Sequence, residues 1–328
     1  MLTAPGSGPT ISIAVCTWNR ARLVEQTLHS LTQLKIPPGL DWEVVVINNN
    51  SPDSTASVLV SFVPKLPLRH FLETNQGIAF ARNRAALEAR GDVVLWTDDD
   101  VRVPPHWLAG YVEAFAKHPE CGFFGGPVEL SFEGNPPAWL LGGLDSIGGA
   151  LGQVRVPGDA PIGEGVQLPF NCNMAVRREY HLAMPYDTRY GRKATNLMSG
   201  EETVFLRELL NQGVLGRWLT NVGVLHAVPV ERQSVAYLRK ALTGVGRELG
   251  LRSPTRGRLE FLGIPVWLWR QALTFEARFR LRKLASASSD WHSDLAGAAI
   301  SWGRIQQMLQ NRRDDSGLSS QTRESARS

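Results

Sequence analysis

The 328-residue chain reads as an α/β protein: a mostly parallel sheet flanked by helices, followed by a helical C-terminal extension. Three observations predict this. Short β-rich runs alternate with helical periodicity from Ile11 to His118. Three of those runs end in polar clusters rich in side-chain ligands, "TWNR", "NNNSPD" and "DDD". Charge also divides along the chain, with 17 Lys+Arg against 9 Asp+Glu from Pro229 to Ser328, and 18 against 22 before it. Alternating strands and helices imply parallel pairing with both faces covered, and such sheets bind ligands beyond the carboxyl ends of their strands.

"ISIAVC" (Ile11–Cys16) is the first strand, and "ARLVEQTLHSL" follows as a helix with Leu23, Thr27, Leu28 and Leu31 at helical spacing, ended by "IPPG". "WEVVVI" (Trp42–Ile47) is a buried strand, then comes a weaker helix, then "LRHFLE" as a third strand. "IAFARNRAALEARG" is a helix with Gly91 just past its end, "DVVLWT" the next strand, and "PPHWLAGYVEAFAKH" a helix with prolines at its start. From Cys121 to Pro169 the chain is rich in Gly and Pro; "CGFFGG" reads as a strand, and the long loops after it as a wall or lid. "GEETVFLRELLNQG" is a helix with Val204, Phe205 and Leu209 inward, and "WLTNVGVLHAV" is read as the last strand. The expected division is a flexible 1–10, an α/β domain over 11–228, a helical region over 229–310 and a disordered polar tail over 311–328.

A hydrophobic fraction of 43% and a charged fraction of 20% are ordinary for a soluble globular protein. Cys16, Cys121 and Cys172 have no metal-ligand or redox spacing, which suggests buried thiols in a reducing compartment. No run approaches the roughly 18 apolar residues of a membrane span, and "MLTAPGSGPT" lacks the pattern of a signal peptide. The expected location is the cytoplasm.

The triplet Asp98–Asp100 needs a physical reason. Two carboxylates about 4 Å apart repel by about 1 kcal/mol even in water, so a helix N-terminus or a cation should offset them. "VRVPPHW" delays the next helix, so at most one aspartate can cap it. Carboxylate oxygens suit Mg²⁺ or Mn²⁺, and magnesium shares its shell with substrate phosphates. Strand alternation puts Asp98 and Asp100 on one side and Asp99 on the other. Arg82, near a helix start, gains nothing from the helix dipole; it is either a solvated residue or a phosphate ligand. Glu201 and Glu202 open a helix, where acids are favoured anyway; as an alternative, one of them takes a proton from an alcohol. His226 ends an apolar run and reads as a core histidine or a metal ligand.

Taken in order, "ISIAVCTWNRARLVEQTLHSL", "WEVVVINNNSPDST", "NQGIAFARN", "GDVVLWTDDDV", "NCNMAVRRE" and "SGEETVFLREL" resemble the inverting glycosyltransferases of family 2, which have the nucleotide-sugar-binding GT-A fold. The resemblance covers about Ile11 to Glu231. It implies that Thr17 and Asn48 hold the nucleobase, with Asn48 standing where the family usually has Asp. Asn19 and Asn75 fall within the nucleotide-binding motifs, and Arg82 contacts the nucleotide. Asp98 and Asp99 would reach the ribose, and Asp98 and Asp100 the divalent metal, with Asp100 the foremost ligand. Glu202 matches the catalytic base, with Glu201 as the second candidate. Asn173 falls where the family lines the donor-sugar and acceptor site, and His226 matches a histidine that reaches the metal or diphosphate. The implied reaction is metal-dependent (Mn²⁺ or Mg²⁺) transfer with inversion from a nucleotide-sugar, a UDP-sugar being the expected donor, to a hydroxyl of a glycan or lipid-linked acceptor in polysaccharide or glycolipid synthesis.

Two other functions compete. A nucleotidyltransferase should show a Gly-rich basic loop after the first strand, and "CTWNRARL" has no glycine there. A non-catalytic nucleotide-sugar-binding protein would differ in lacking donor turnover. In the basic C-terminal part, "GIPVWLWRQALTFEARFRLRKL" (263–284) places Leu268, Ala272, Phe275 and Phe279 on one stripe among arginines. That stripe either packs on the protein or on another subunit of a homo-oligomer, or makes a peripheral contact with the inner face of the membrane. No nucleic-acid-binding module accompanies the charge.

Overall fold

A computed structural model describes residues 10–156, 158–163, 167–191, 200–252, 257, 259–285 and 291–325, with side chains to 313. The described chain forms two compact units, one from the described residues of 10–133, 152–191 and 201–228, the other from those of 134–151, 200 and 229–325.

The first unit opens with β1 (Ile11–Thr17), α1 (Ala21–Leu31), β2 (Trp42–Asn48), α2 (Thr55–Phe62), β3 (Leu68–Leu72), α3 (Ile78–Glu88) and β4 (Val93–Asp98). The strands β3, β2, β1 and β4 lie side by side and parallel. Every residue of β1 is buried, the mark of a strand covered on both faces, whereas β3 at the sheet edge alternates. The chain then makes β5 (Val101–Arg102), α4 (Trp107–Lys117), β6 (Cys121–Gly125) and β7 (Val128–Phe132). In the second unit lie the short α5 (Ala138–Gly142) and α6 (Leu144–Ile147), so part of the segment read as loops is helical.

Returning to the first unit, β8 (Pro161–Ile162), β9 (Asn173–Arg177), α7 (Arg178–Ala183), α8 (Glu201–Asn211), β10 (Leu215–Trp218) and β11 (Val224–Val228) complete it. The central sheet runs β3-β2-β1-β4-β9-β6-β10-β8, with β9 antiparallel between β4 and β6. A second sheet has the order β5-β11-β7. The run "WLTNVGVLHAV", expected as one strand, therefore divides between two sheets: Trp218 ends β10 and Val224 begins β11. Gly91 is likewise not a helix cap. Cβ at Gly91 would lie 2.6 Å from the Ser12 nitrogen, so glycine is needed where the chain into β4 crosses the start of β1.

The second unit is built on α9 (Val235–Arg252), the hairpin β12 (Glu260–Phe261) and β13 (Ile264–Pro265), α10 (Val266–Leu284) and α11 (Trp291–Ser325). α9 and α11 cross backbone to backbone: Cβ at Gly246 would sit 2.1 Å from the Ile300 carbonyl oxygen, and at Gly303 2.1 Å from that of Thr243. Leu268 and Ala272 of α10 pack with Ile264, Ile305 and Met308, and Phe279 is buried too. The apolar stripe of α10 is thus a packing face within this unit. The α11 backbone is helical to Ser325. A helix already nucleated on a packed segment gains one hydrogen bond per added residue. No helix among the described residues is long and apolar enough to cross a membrane.

Candidate active site

The three aspartates owe their position to two sheets meeting. Asp98 is the last residue of β4, opposite Cys16 of β1. Three residues later β5 begins and pairs with β11, where His226 faces Val101, and the Ala227 N–H donates to the Asp100 carbonyl at 2.8 Å. That pairing brings His226 Nε2 to 3.2 Å from Asp100 Oδ1. Ligand atoms of Asp98, Asp100 and His226 all lie within 4.8 Å of one another. His226 Nδ1 is buried without a hydrogen-bond partner among the described residues. Two carboxylates and an imidazole this close fit a divalent ion such as Mn²⁺ or Mg²⁺ and offer no thiolate to favour a softer metal.

Two arginines offset the acidic charge. Arg20 Nη1 donates to Asp99 Oδ1 at 2.7 Å and to Asp100 Oδ2 at 3.1 Å. The Asp99 charge holds the Arg20 guanidinium above its ordinary value, against burial and with help from Asp100. Arg82 donates to Asp98 Oδ1 at 3.1 Å and bonds directly to Glu201. Burial works to lower the Arg82 pKa, but Asp98 and Glu202 keep it raised. Nearby thiols stay neutral: burial pushes Cys16 up to about 12, and Cys172, close enough to feel Asp98, Asp100 and Glu202, well above its usual value.

The two glutamates at the start of α8 are not equivalent. Glu201 is tied to Arg82 through Oε1, whereas no bond from Glu202 to Arg82 is seen; the Oε2 atoms of both are buried with no hydrogen-bond partner among the described residues. Tyr186 lies in the electrostatic reach of both Arg82 and Glu202, and burial raises its phenol pKa. Its hydroxyl donates to Asn171 Oδ1 at 2.8 Å, while Asn171 Nδ2 is buried without a partner among the described residues.

The strand ends around this cluster are also braced. Thr17 is buried and closes β1. Asn19, at φ 54°, donates its N–H to Ser51 Oγ at 2.9 Å. Asn48 Oδ1 accepts from the Ser51 N–H at 2.9 Å, which fixes this amide across the turn after β2. Asn75 is exposed. Asn49, Asp53 and Arg20 were not singled out from the sequence. The Asn49 side chain bonds the carbonyls of Glu73 and Asn75 and the N–H of Gly77, while Asp53 caps α1 through Ala21 N–H and α2 through Thr55 N–H. The strand-end clusters held the signal for all three, but partners 20 to 80 residues away do not show in a linear reading.

Asn173 requires a correction. It is fully buried: Oδ1 accepts from Trp107 Nε1 and Tyr111 Oη at 2.8 Å each, and Nδ2 donates to the Pro127 and Val222 carbonyls at 2.9 Å. With its amide fully engaged, Asn173 is a structural link, not a lining residue of a sugar site.

The sequence profile of Glycosyl transferase family 2 matches residues 12–181, more than half of the chain and all of the strands that carry the aspartates. The chain belongs to this family. It is a glycosyltransferase with the GT-A fold. It is 27% identical over 232 residues to the succinoglycan biosynthesis protein ExoM of Rhizobium meliloti, covering 70% of this chain and 71% of that one. A putative teichuronic acid biosynthesis glycosyltransferase, TuaG of Bacillus subtilis, is 29% identical over 131 residues, 39% of this chain and 50% of its own. Among solved structures, the mannosyltransferase PcManGT from Pyrobaculum calidifontis, in complex with GDP-Man and Mn²⁺, aligns with TM-score 0.54 at 19% identity, covering 96% of this chain and 81% of that one. TarS 1–349 of S. aureus with UDP-GlcNAc aligns with TM-score 0.51 at 16% identity over 93% and 92%. These two likenesses support the fold.

Proposed function

We propose that this glycosyltransferase moves a sugar from a nucleoside-diphosphate-sugar, a UDP-sugar first among candidates, to an acceptor hydroxyl with inversion, in the assembly of a polysaccharide or glycolipid. The observation that carries this reading is the grouping of Asp98, Asp100 and His226 beside Arg82, with the buried Glu202 Oε2 unpartnered among the described residues. The roles of ExoM and, putatively assigned, of TuaG in polysaccharide synthesis favour the same acceptor class.

Each residue then has a role. Thr17 and the Asn48 NH₂ face the base, and exposed Trp18 offers a flat surface beside them. Asp98, Asp100 and His226 would hold Mn²⁺ or Mg²⁺, which when bound supplies positive charge to the donor's diphosphate. Arg82 adds fixed positive charge on the leaving group. Glu202 Oε2 takes the proton of the acceptor hydroxyl as that oxygen bonds to the anomeric carbon. The bond from that carbon to the phosphate oxygen breaks, and its electron pair leaves with the nucleoside diphosphate. Glu201 holds Arg82 in place.

The test is release of nucleoside diphosphate from a panel of UDP-, GDP-, CDP- and dTDP-sugars with Mn²⁺ present. One nucleotide class should support turnover, and Asp100→Ala should abolish it with the fold intact. Full turnover by Asp100→Ala, or none by the native enzyme with any donor, would contradict the reading.

A further inference from the structure

The helical unit carries a feature that sugar transfer does not use. In the β12–β13 hairpin Phe261 pairs with Ile264, so Leu262 and Gly263 alone make the turn, with φ of 52° and 69°. Two central residues at positive φ define the I′ turn, which favours Asn and Gly because a bulky side chain is strained there. Among the described residues only Asn19, Asn50 and Leu262 are non-glycines at positive φ. Leu262 gains no packing in return: it is 61% exposed, and its neighbours Leu259 and Phe261 are 73% and 59% exposed. A leucine that strains its own turn and touches no core is placed to be buried by something outside the chain.

The hairpin is firmly held. Trp269 Nε1 donates to the Phe261 carbonyl at 3.2 Å, the Val266 N–H donates to the Leu259 carbonyl at 3.0 Å, and Ile264 is anchored in the core. The outer face of α10 continues the same pattern. Exposed Trp267, Leu273, Leu281 and Leu284 alternate there with exposed Arg270, Arg278 and Arg280. Glu276 is the only acid of α10, and Arg239 and Arg280 already occupy it. Glu260 of β12 is answered by Arg312, and Arg270 and Arg278 have no acidic partner among the described residues, so this exposed face combines large apolar groups with net positive charge.

We infer that the β12–β13 tip and the outer face of α10 dock on a bilayer surface containing anionic phospholipid. Leu259, Phe261 and Leu262 enter the boundary between headgroups and acyl chains, and the arginines meet lipid phosphates. An apolar tip bordered by Trp and Arg is the chemistry of an interfacial contact. This differs from the sequence expectation in its residues, because the stripe of Leu268, Ala272 and Phe279 faces the protein. It stands independently of the donor and metal assignments.

The test is flotation of the full chain with vesicles of phosphatidylcholine and phosphatidylglycerol, roughly 3:1, against pure phosphatidylcholine. The native chain should float with the anionic vesicles at low salt, be largely released at molar salt, and bind pure phosphatidylcholine roughly tenfold less. Leu262→Asn suits the turn better, so it should melt no lower than the native chain while binding anionic vesicles roughly tenfold more weakly together with Phe261→Ser. The idea is overturned if the native chain does not float at low salt, if it floats equally on both lipids, or if the double variant floats undiminished. It is equally overturned if light scattering shows a dimer that Leu262→Asn dissolves, which would assign the face to a second copy.

Discussion

Replacing Asn173 with Ala separates a structural residue from a substrate-binding one. The substitution removes an amide that satisfies four buried groups at once. The Pro127 carbonyl keeps a second partner in the Val224 N–H, so three groups are orphaned: Trp107 Nε1–H, the Tyr111 hydroxyl and the Val222 carbonyl. Each unsatisfied buried group costs about 1–3 kcal/mol; if water enters the space, the low end applies, giving a loss of about 3–4 kcal/mol. For a unit of about 200 residues that lowers the midpoint by roughly 6–16 °C. The assay is thermal unfolding followed by tryptophan fluorescence, with Tyr111→Phe as a control that deletes one donor, keeps the ring and should cost about a third as much. A midpoint within a degree or two of the native enzyme, together with a large rise in KM for the donor, would refute the reasoning and return Asn173 to the sugar site.

Three further outcomes follow from the same geometry. Glu202→Gln should lower kcat by roughly 10²–10⁴-fold with little change in donor affinity, whereas Glu201→Gln, which frees Arg82, should act mainly on donor KM; steady-state kinetics of both variants read the difference. His181 is held to about 3 by burial, so the folded state refuses a proton that the unfolded chain accepts below pH 6.5. Stability should therefore fall as pH drops from about 6.5 towards 3, by up to about 4–5 kcal/mol from this group, and His181→Gln should flatten that part of the denaturation profile. At the α9–α11 crossing, Gly246→Val places carbon against the Ile300 carbonyl and should abolish cooperative folding of the helical unit, as seen in loss of its slow-exchanging amides.

Much of the first half of the chain was legible because its signals are local. β1, β2 and β4 are continuous apolar runs, α1 shows turn-spaced leucines, and each strand ends abruptly in polar residues. β9 was not legible as a sheet strand. "NMAVR" is short, and its place between β4 and β6 depends on partners more than 40 residues away in the chain. The division of "WLTNVGVLHAV" escaped for the same reason, since Leu219 to Gly223 is apolar enough to look continuous with both strands. At the site, the residue types of the cluster could be read, but not its charge balance. That Arg20 answers Asp99 and Asp100, and that Glu201 is spent on Arg82, follows only from side chains meeting across three elements. Asn173 shows the opposite error: a polar residue in a functional motif served the core, because Trp107 and Tyr111 bring donors into the interior that need an acceptor.

The most direct test is pulsed electron paramagnetic resonance of Mn²⁺ bound to the enzyme with the nucleoside diphosphate of its donor. The account predicts one bound ion per chain, showing the nitrogen coupling of a directly bonded imidazole; that coupling should vanish in His226→Asn, and ion binding should be lost in Asp100→Ala. An ion with no such coupling, or one held equally well after Asp100→Ala, would contradict it.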